Sequence, residues 1–207
     1  MLYKWKLNIL LLSMLFSNSA LSAVCEDLFQ KLDKQHKTIT DKNDHKKMIK
    51  MENDMFSAIS QCKTYAGMFV LMGELQIEMG QIPLAVVYGK KSVAVDDKYW
   101  RAHKLLGSAK MLNEEYEGGL KSLKKAVELN PNNINTQLNF ISALIQNKKY
   151  DQALTLINTI IKKNEKDSVA IAYYFRSQAF KGKGLIVEAN KDAKTAQEMG
   201  FVVEQMQ

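Results

Sequence analysis

Side chains able to move protons or hold metals are sparse and scattered in this 207-residue chain. None of the three histidines, His36, His45 and His103, has a companion at the spacing of a metal site or a catalytic triad. A lone histidine on a helix packs or faces solvent far more often than it ligates. Gly182-Lys183-Gly184 has the flavour of a phosphate loop, but the G-x-x-x-x-G-K-S/T frame is missing and a turn between helices explains it better. Asp96-Asp97 and Glu114-Glu115 fall at turns or helix starts, where carboxylates meet the positive end of a helix dipole. Among the eleven methionines, Met68, Met72 and Met79 fit pliable core filler better than a thioether metal set. These patterns predict no enzyme, no cofactor and no metal.

Cys25 and Cys62 are the only cysteines. Leu28, Leu32 and Ile39 recur at helical spacing after the first. After the polar break Thr40 to Asp44, residues Met48, Met51, Met55, Ile59 and Cys62 share one face of a second helix. If these helices run antiparallel, the start of one lies beside the end of the other, and the cysteines meet. A Cys25–Cys62 disulfide is predicted, stapling a cap over residues 24–65 and contributing about 3–4 kcal/mol through the unfolded chain. A redox pair would favour C-x-x-C spacing, which is absent.

The cap follows an export leader. Lys4 and Lys6 form a basic start, Leu7 to Phe16 an apolar run, and Ser17 to Ala23 a small-residue cleavage region. The run is too short to span a bilayer, which takes about 20 apolar residues. A signal peptide over 1–23 is predicted, cut after Ala23 or Ser22, giving a periplasmic protein. Val24, directly before Cys25, argues against a lipoprotein. Loss of Lys4 and Lys6 lowers the formal charge of +7 by two. The remaining lysines are spread around helices rather than gathered with aromatics, so nucleic acid is not a predicted partner.

Low Gly and Pro content suits long helices. From Trp100 to Asn133 the chain reads as two helices, a tight turn and a proline stop, and the unit recurs at a period of about 34 residues. Leu106-Gly107, Tyr116, Gly119, Ala126 and Pro131 of this unit resemble the tetratricopeptide repeat family, with His103 where the family prefers Trp. Residues 66–99 repeat it with Phe69, Met72-Gly73, Gly80, Ala85 and Ser92. Residues 134–167 keep Ala143, Tyr150 and Ala153, but carry Phe140-Ile141 at the Leu-Gly place and Ile160 for Ala, which suggests a wider helix pair. Residues 170–200 keep Tyr173, Ser177, Ala179, Phe180, Gly184, Ala189 and Ala196, with Arg176 in place of Leu, implying a distorted helix or a polar contact. The expected fold is all-α: a right-handed α-solenoid of four helix-turn-helix repeats (66–99, 100–133, 134–167, 170–200), with an N-terminal disulfide-linked helical hairpin cap and a tail over 201–207.

In the resembled family the first helices of successive repeats line a concave face that binds a peptide or a helix. Carried over, that face comprises Val70, Glu74, Ile77, Arg101, Lys104, Ser108, Met111, Asn135, Leu138, Asn139, Ser142, Ile145, Tyr174 and Gln178. Arg101 and Lys104 would make its middle basic. The resemblance implies a non-catalytic envelope scaffold holding another envelope protein or peptide. A binding module for cell-wall glycan or an anionic membrane surface stays open as the alternative, as does a homodimer through Phe201, Val202 and Val203.

Overall fold

One turn, used four times, sets the architecture. Gly80, Glu114, Lys148 and Gly184 all take positive φ, at 73°, 61°, 57° and 77°. Each sits at the same step of its repeat. The amide after each donates back across the end of the preceding helix: Gln81 N to Gln76 O (2.8 Å), Glu115 N to Lys110 O (2.8 Å), Lys149 N to Leu144 O (2.8 Å) and Leu185 N to Phe180 O (2.9 Å). This left-handed closure satisfies carbonyls that the helix end leaves unpaired. Two of the four positions carry no glycine, which is why the turn is hard to see as a glycine pattern.

The computed structural model describes residues 20–39, 44–163 and 166–201. Of the leader expected over 1–23 only residues 20–23 are described, as the start of the first helix; of the polar break Thr40 to Asp44 only Asp44, and of the tail over 201–207 only Phe201. The helices are α1 (residues 20–36), α2 (His45–Gln61), α3 (Ala66–Glu78), α4 (Ile82–Val95), α5 (Trp100–Leu112), α6 (Tyr116–Leu129), α7 (Ile134–Gln146), α8 (Tyr150–Lys163), α9 (Lys166–Gly182) and α10 (Ile186–Glu198). There is no strand among the described residues. The fold class is the expected all-α helix-turn-helix array of the solenoid type. The chain divides into two compact units, up to Ala109 and from Lys110, so the division falls inside α5.

In the first unit Cys25 of α1 and Cys62, just past α2, are bonded, with Cα atoms 5.7 Å apart. Asp44 caps α2 by accepting from Lys47 N at 3.1 Å. Phe29 and Leu32 of α1 meet Met48, Met51, Met55 and Ala58 of α2, and the same core takes in Met68, Leu71, Met72 and Leu75 of α3. The hairpin therefore packs onto the array as one more helix pair. Helix α3 is apolar around most of its circumference and buries residues Ala66 through Gly73 without a break, as a helix enclosed on all sides must. Ser92 is more than a small residue: its hydroxyl donates to the Ala66 carbonyl at 2.8 Å, fully buried. Helices α4 and α5 approach closely at Gly89, where an added Cβ would stand 2.8 Å from the Leu106 Cα.

In the second unit Asn133 caps α7 by accepting from Thr136 N at 2.9 Å. Leu120, Leu123, Ile141, Leu144, Ile157, Ile160 and Phe175 form the core. Ile141 and Ile160 are buried where the family pattern has small residues, so this repeat closes on side chains and not on backbone. Truncating one such side chain to Ala would cost about 2–5 kcal/mol. Arg176 makes the polar contact its place in the pattern implied. Its Nε and Nη2 donate to Asp192 on α10 at 2.6 and 2.9 Å, and Nη1 donates to Asn158 at 2.9 Å. Its guanidinium lies 4.9 Å from the Tyr173 ring centroid.

Candidate partner-binding surfaces

The fifth position of each repeat is Val70, Lys104, Leu138 and Tyr174, and the structure gives it different fates. Val70 is fully buried against Ala102 and Leu105 of α5. Leu138 shares the core with Ala172 and Phe175 of α9. Both were expected to line an open face. Instead the first helix of the next repeat covers them, so they are core and not groove. Lys104 is half-buried, with no carboxylate within ion-pair distance among the described residues. Tyr174, in the last repeat, opens into a cavity.

In the first unit Arg101, expected with Lys104 to make the middle of the face basic, is held by carboxylates. Its Nη2 donates to Asp33 at 3.2 Å and to Glu74 at 3.1 Å, and the guanidinium lies 5.4 Å from the Phe29 ring centroid. Burial alone would lower the Arg101 pKa, but Glu74, Tyr99 and Asp33 hold it raised. Asp33 is itself nearly buried. Burial pushes its carboxyl up, and the bond from Lys37 together with Arg101 overrides this and holds it below the ordinary carboxylate range. Beside it, His36 Nε2 lies 2.9 Å from Glu78. Burial would lower this histidine's pKa, yet the Glu78 bond and the charges of Glu74 and Asp33 raise it. Tyr65, bonded to Glu26, is pushed up first by its burial and then by that carboxylate. Arg101 is thus bonded both to Glu74 and to Asp33 of the cap helix. This network could have been suspected only by giving Asp33 a tertiary role across 68 residues of sequence. Ile77 packs on the core and Ser108 is half-buried.

In the second unit Met111 and Ile145 pack against the core edge, Asn135 is exposed, and Asn139 and Ser142 are half-buried. Gln146 donates to the Ser142 hydroxyl at 3.4 Å. Tyr174 and Gln178 come together in a cavity of about 550 Å³ with Ser177 of α9, Asn190, Ala193, Lys194, Ala196 and Gln197 of α10, and Gly200 and Phe201 beyond it. The Phe201 ring lies 4.8 Å from that of Tyr174. The tail therefore begins by folding back onto α9. The small residues Ala193 and Ala196 flatten the α10 side of the cavity. Where α9 lies over Leu138, the described residues place only Phe201 over Tyr174.

The other chemically suggestive residues are structural. His103 Nε2 bonds the Asp97 carbonyl at 2.8 Å. Gly182-Lys183-Gly184 is the α9–α10 turn, with Lys183 paired to Asp151. Among the described residues no group of three His, Cys, Asp or Glu could hold a metal ion, and no helix is long and apolar enough to cross a membrane.

The tetratricopeptide repeat family model matches residues 110–173. A comparison with curated protein sequences returns no match. Solved structures share the fold. A crystal structure of MamA is 22% identical, covering 75% of this chain and 90% of its own, with TM-score 0.64. YrrB, described as a TPR protein with an unusual peptide-binding site, is 18% identical over 74% of this chain and 78% of its own, with TM-score 0.62. The TPR-like repeats of a putative kinesin light chain from Podosopora anserina are 14% identical over 83% and 96%, with TM-score 0.67. The family match over residues 110–173, the repeated turns and the shared fold agree that this chain has the helix-turn-helix fold of tetratricopeptide repeat proteins.

Proposed function

We propose that the chain is a non-catalytic scaffold of the cell envelope that seats a helix of another protein at the open end of its last repeat. The observation that carries this is the cavity at Tyr174 and Gln178. In the preceding repeat the equivalent position, Leu138, is covered by the first helix of the next repeat. A partner helix fits the same seat, with apolar contact from Tyr174, Phe201 and Ala193 and hydrogen bonds from Gln178, Asn190 and Gln197. The peptide-binding site ascribed to YrrB supports binding as the use of this fold. Placement in the envelope is supported by the Lys4, Lys6 and Leu7–Phe16 leader pattern and by a disulfide that needs an oxidising compartment.

The test is a photo-crosslinking amino acid placed at Gln178 of the full chain in its native cells. The expected product is one adduct mapping to an amphipathic helix of a partner, and A193W, which fills the cavity from an exposed position, abolishes it. Crosslinks confined to the chain's own residues 202–207, or adducts indifferent to A193W, overturn the assignment.

A further inference from the structure

A second cleft lies away from Tyr174, between α6, the end of α7 and the start of α8. It encloses about 600 Å³. Its floor is apolar: Leu120 and Leu144 are buried and Phe140 partly so. Its rim is cationic: Lys121, Lys124 and Lys149 are exposed, against one carboxylate, Glu117. Lys124 is bound only by a loose 3.9 Å contact to Glu128 on its own helix. No ion pair engages Lys121 or Lys149 among the described residues.

We infer that this cleft is a docking site for an acidic peptide segment that inserts one apolar side chain between flanking carboxylates. Charge complementarity selects the sign of the partner, because three lysines face one glutamate. Shape selects its class. A membrane surface is met by apolar side chains that protrude, whereas here the apolar atoms form the floor and the ammonium groups the rim. A side chain presented on a peptide reaches that floor and a flat bilayer does not. The site is independent of the Tyr174 seat, with which it shares no lining residue.

The probe is a fluorescein-labelled peptide, DEDLFEDE, read by anisotropy against the folded full chain, with NQNLFQNQ as its uncharged control. The acidic peptide should saturate, weaken steeply with added salt, and lose about tenfold in affinity in K121Q/K149Q. A193W should leave its affinity unchanged, which separates this site from the proposed seat. F140A should weaken both the acidic peptide and whatever residual binding the control shows. Absence of saturation, equal binding by the control, or indifference to K121Q/K149Q overturns the inference. So does sedimentation with phosphatidylglycerol vesicles that K121Q/K149Q abolishes while peptide binding is absent, an outcome that would assign the lysines to a membrane surface.

Discussion

Replacing Glu114 and Lys148 with glycine should stabilise the second unit, although each substitution deletes a side chain. Both residues hold the left-handed turn conformation, at φ 61° and 57°, where Gly80 and Gly184 serve in the flanking repeats. An L-residue pays about 1–2 kcal/mol for that conformation. Glycine removes this strain but loses about 0.5–1 kcal/mol more entropy on folding. The net gain is about 0.5–1 kcal/mol per site. Neither side chain forms an ion pair among the described residues and both are exposed, so little opposes it. The turns are separate, so E114G/K148G should gain about 1–2 kcal/mol. For a cooperative unit of about a hundred residues, each 1 kcal/mol raises Tm by about 4–8 °C. Urea and thermal melts followed by circular dichroism read this directly. The converse variant is G184A, at φ 77° with no heavy atom within 4 Å of the added Cβ, where no clash adds to the same balance and the cost should be about 0.5–1 kcal/mol. A double-glycine variant no more stable than the parent, beside a harmless G184A, would refute the idea that this turn is set by backbone conformation.

Two further outcomes follow from the ion pairs. D192A should destabilise the second unit by about 1–3 kcal/mol by leaving the part-buried Arg176 guanidinium without its carboxylate, while R176L/D192L, which removes both charges, should recover most of that loss; equal melts for the two variants would count against a coupled pair. His36 has a folded pKa above its ordinary 6.5, so its contribution is complete below about 6.5 and is lost as pH rises through the folded value. Asp33, held below its ordinary 3.8, contributes above that pH and loses its share as pH falls. The first unit should therefore weaken as pH rises above about 6.5 in the parent, and H36Q should flatten that limb in urea melts taken at stepped pH; an unchanged slope in H36Q would exclude the histidine as its source.

The repeats were legible because Leu106-Gly107, Ala126 and their counterparts recur at a fixed step, and helix packing tolerates only small residues there. The disulfide was legible because an antiparallel hairpin forces its ends together. The surface was less so. Position-by-position transfer placed Val70 and Leu138 on an open face, yet each is covered by the first helix of the next repeat, while Lys104 is half-buried and Tyr174 lines a cavity. Whether a residue is groove or core thus depends on what packs over it, which a single repeat cannot express. Arg101 read as a free cation because its partner Asp33 belongs to the cap, 68 residues away, outside the repeat register. The clustering of Lys121, Lys124 and Lys149 escaped notice for a similar reason: the third lysine comes from a different helix pair.

The cap's core has a chemical consequence. Met48, Met51, Met55, Met68 and Met72 bring five thioethers together, each at most 2% exposed. Oxidation to the sulfoxide turns an apolar side chain polar and needs the oxidant to reach sulfur. While the first unit stays closed, these sulfurs are shielded, and an opening that admits peroxide is held open by the added oxygen until the sulfoxide is reduced. Their oxidation therefore acts as a ratchet on local unfolding. In an oxidising compartment the Cys25–Cys62 bond, by keeping the hairpin shut, guards the methionines beneath it.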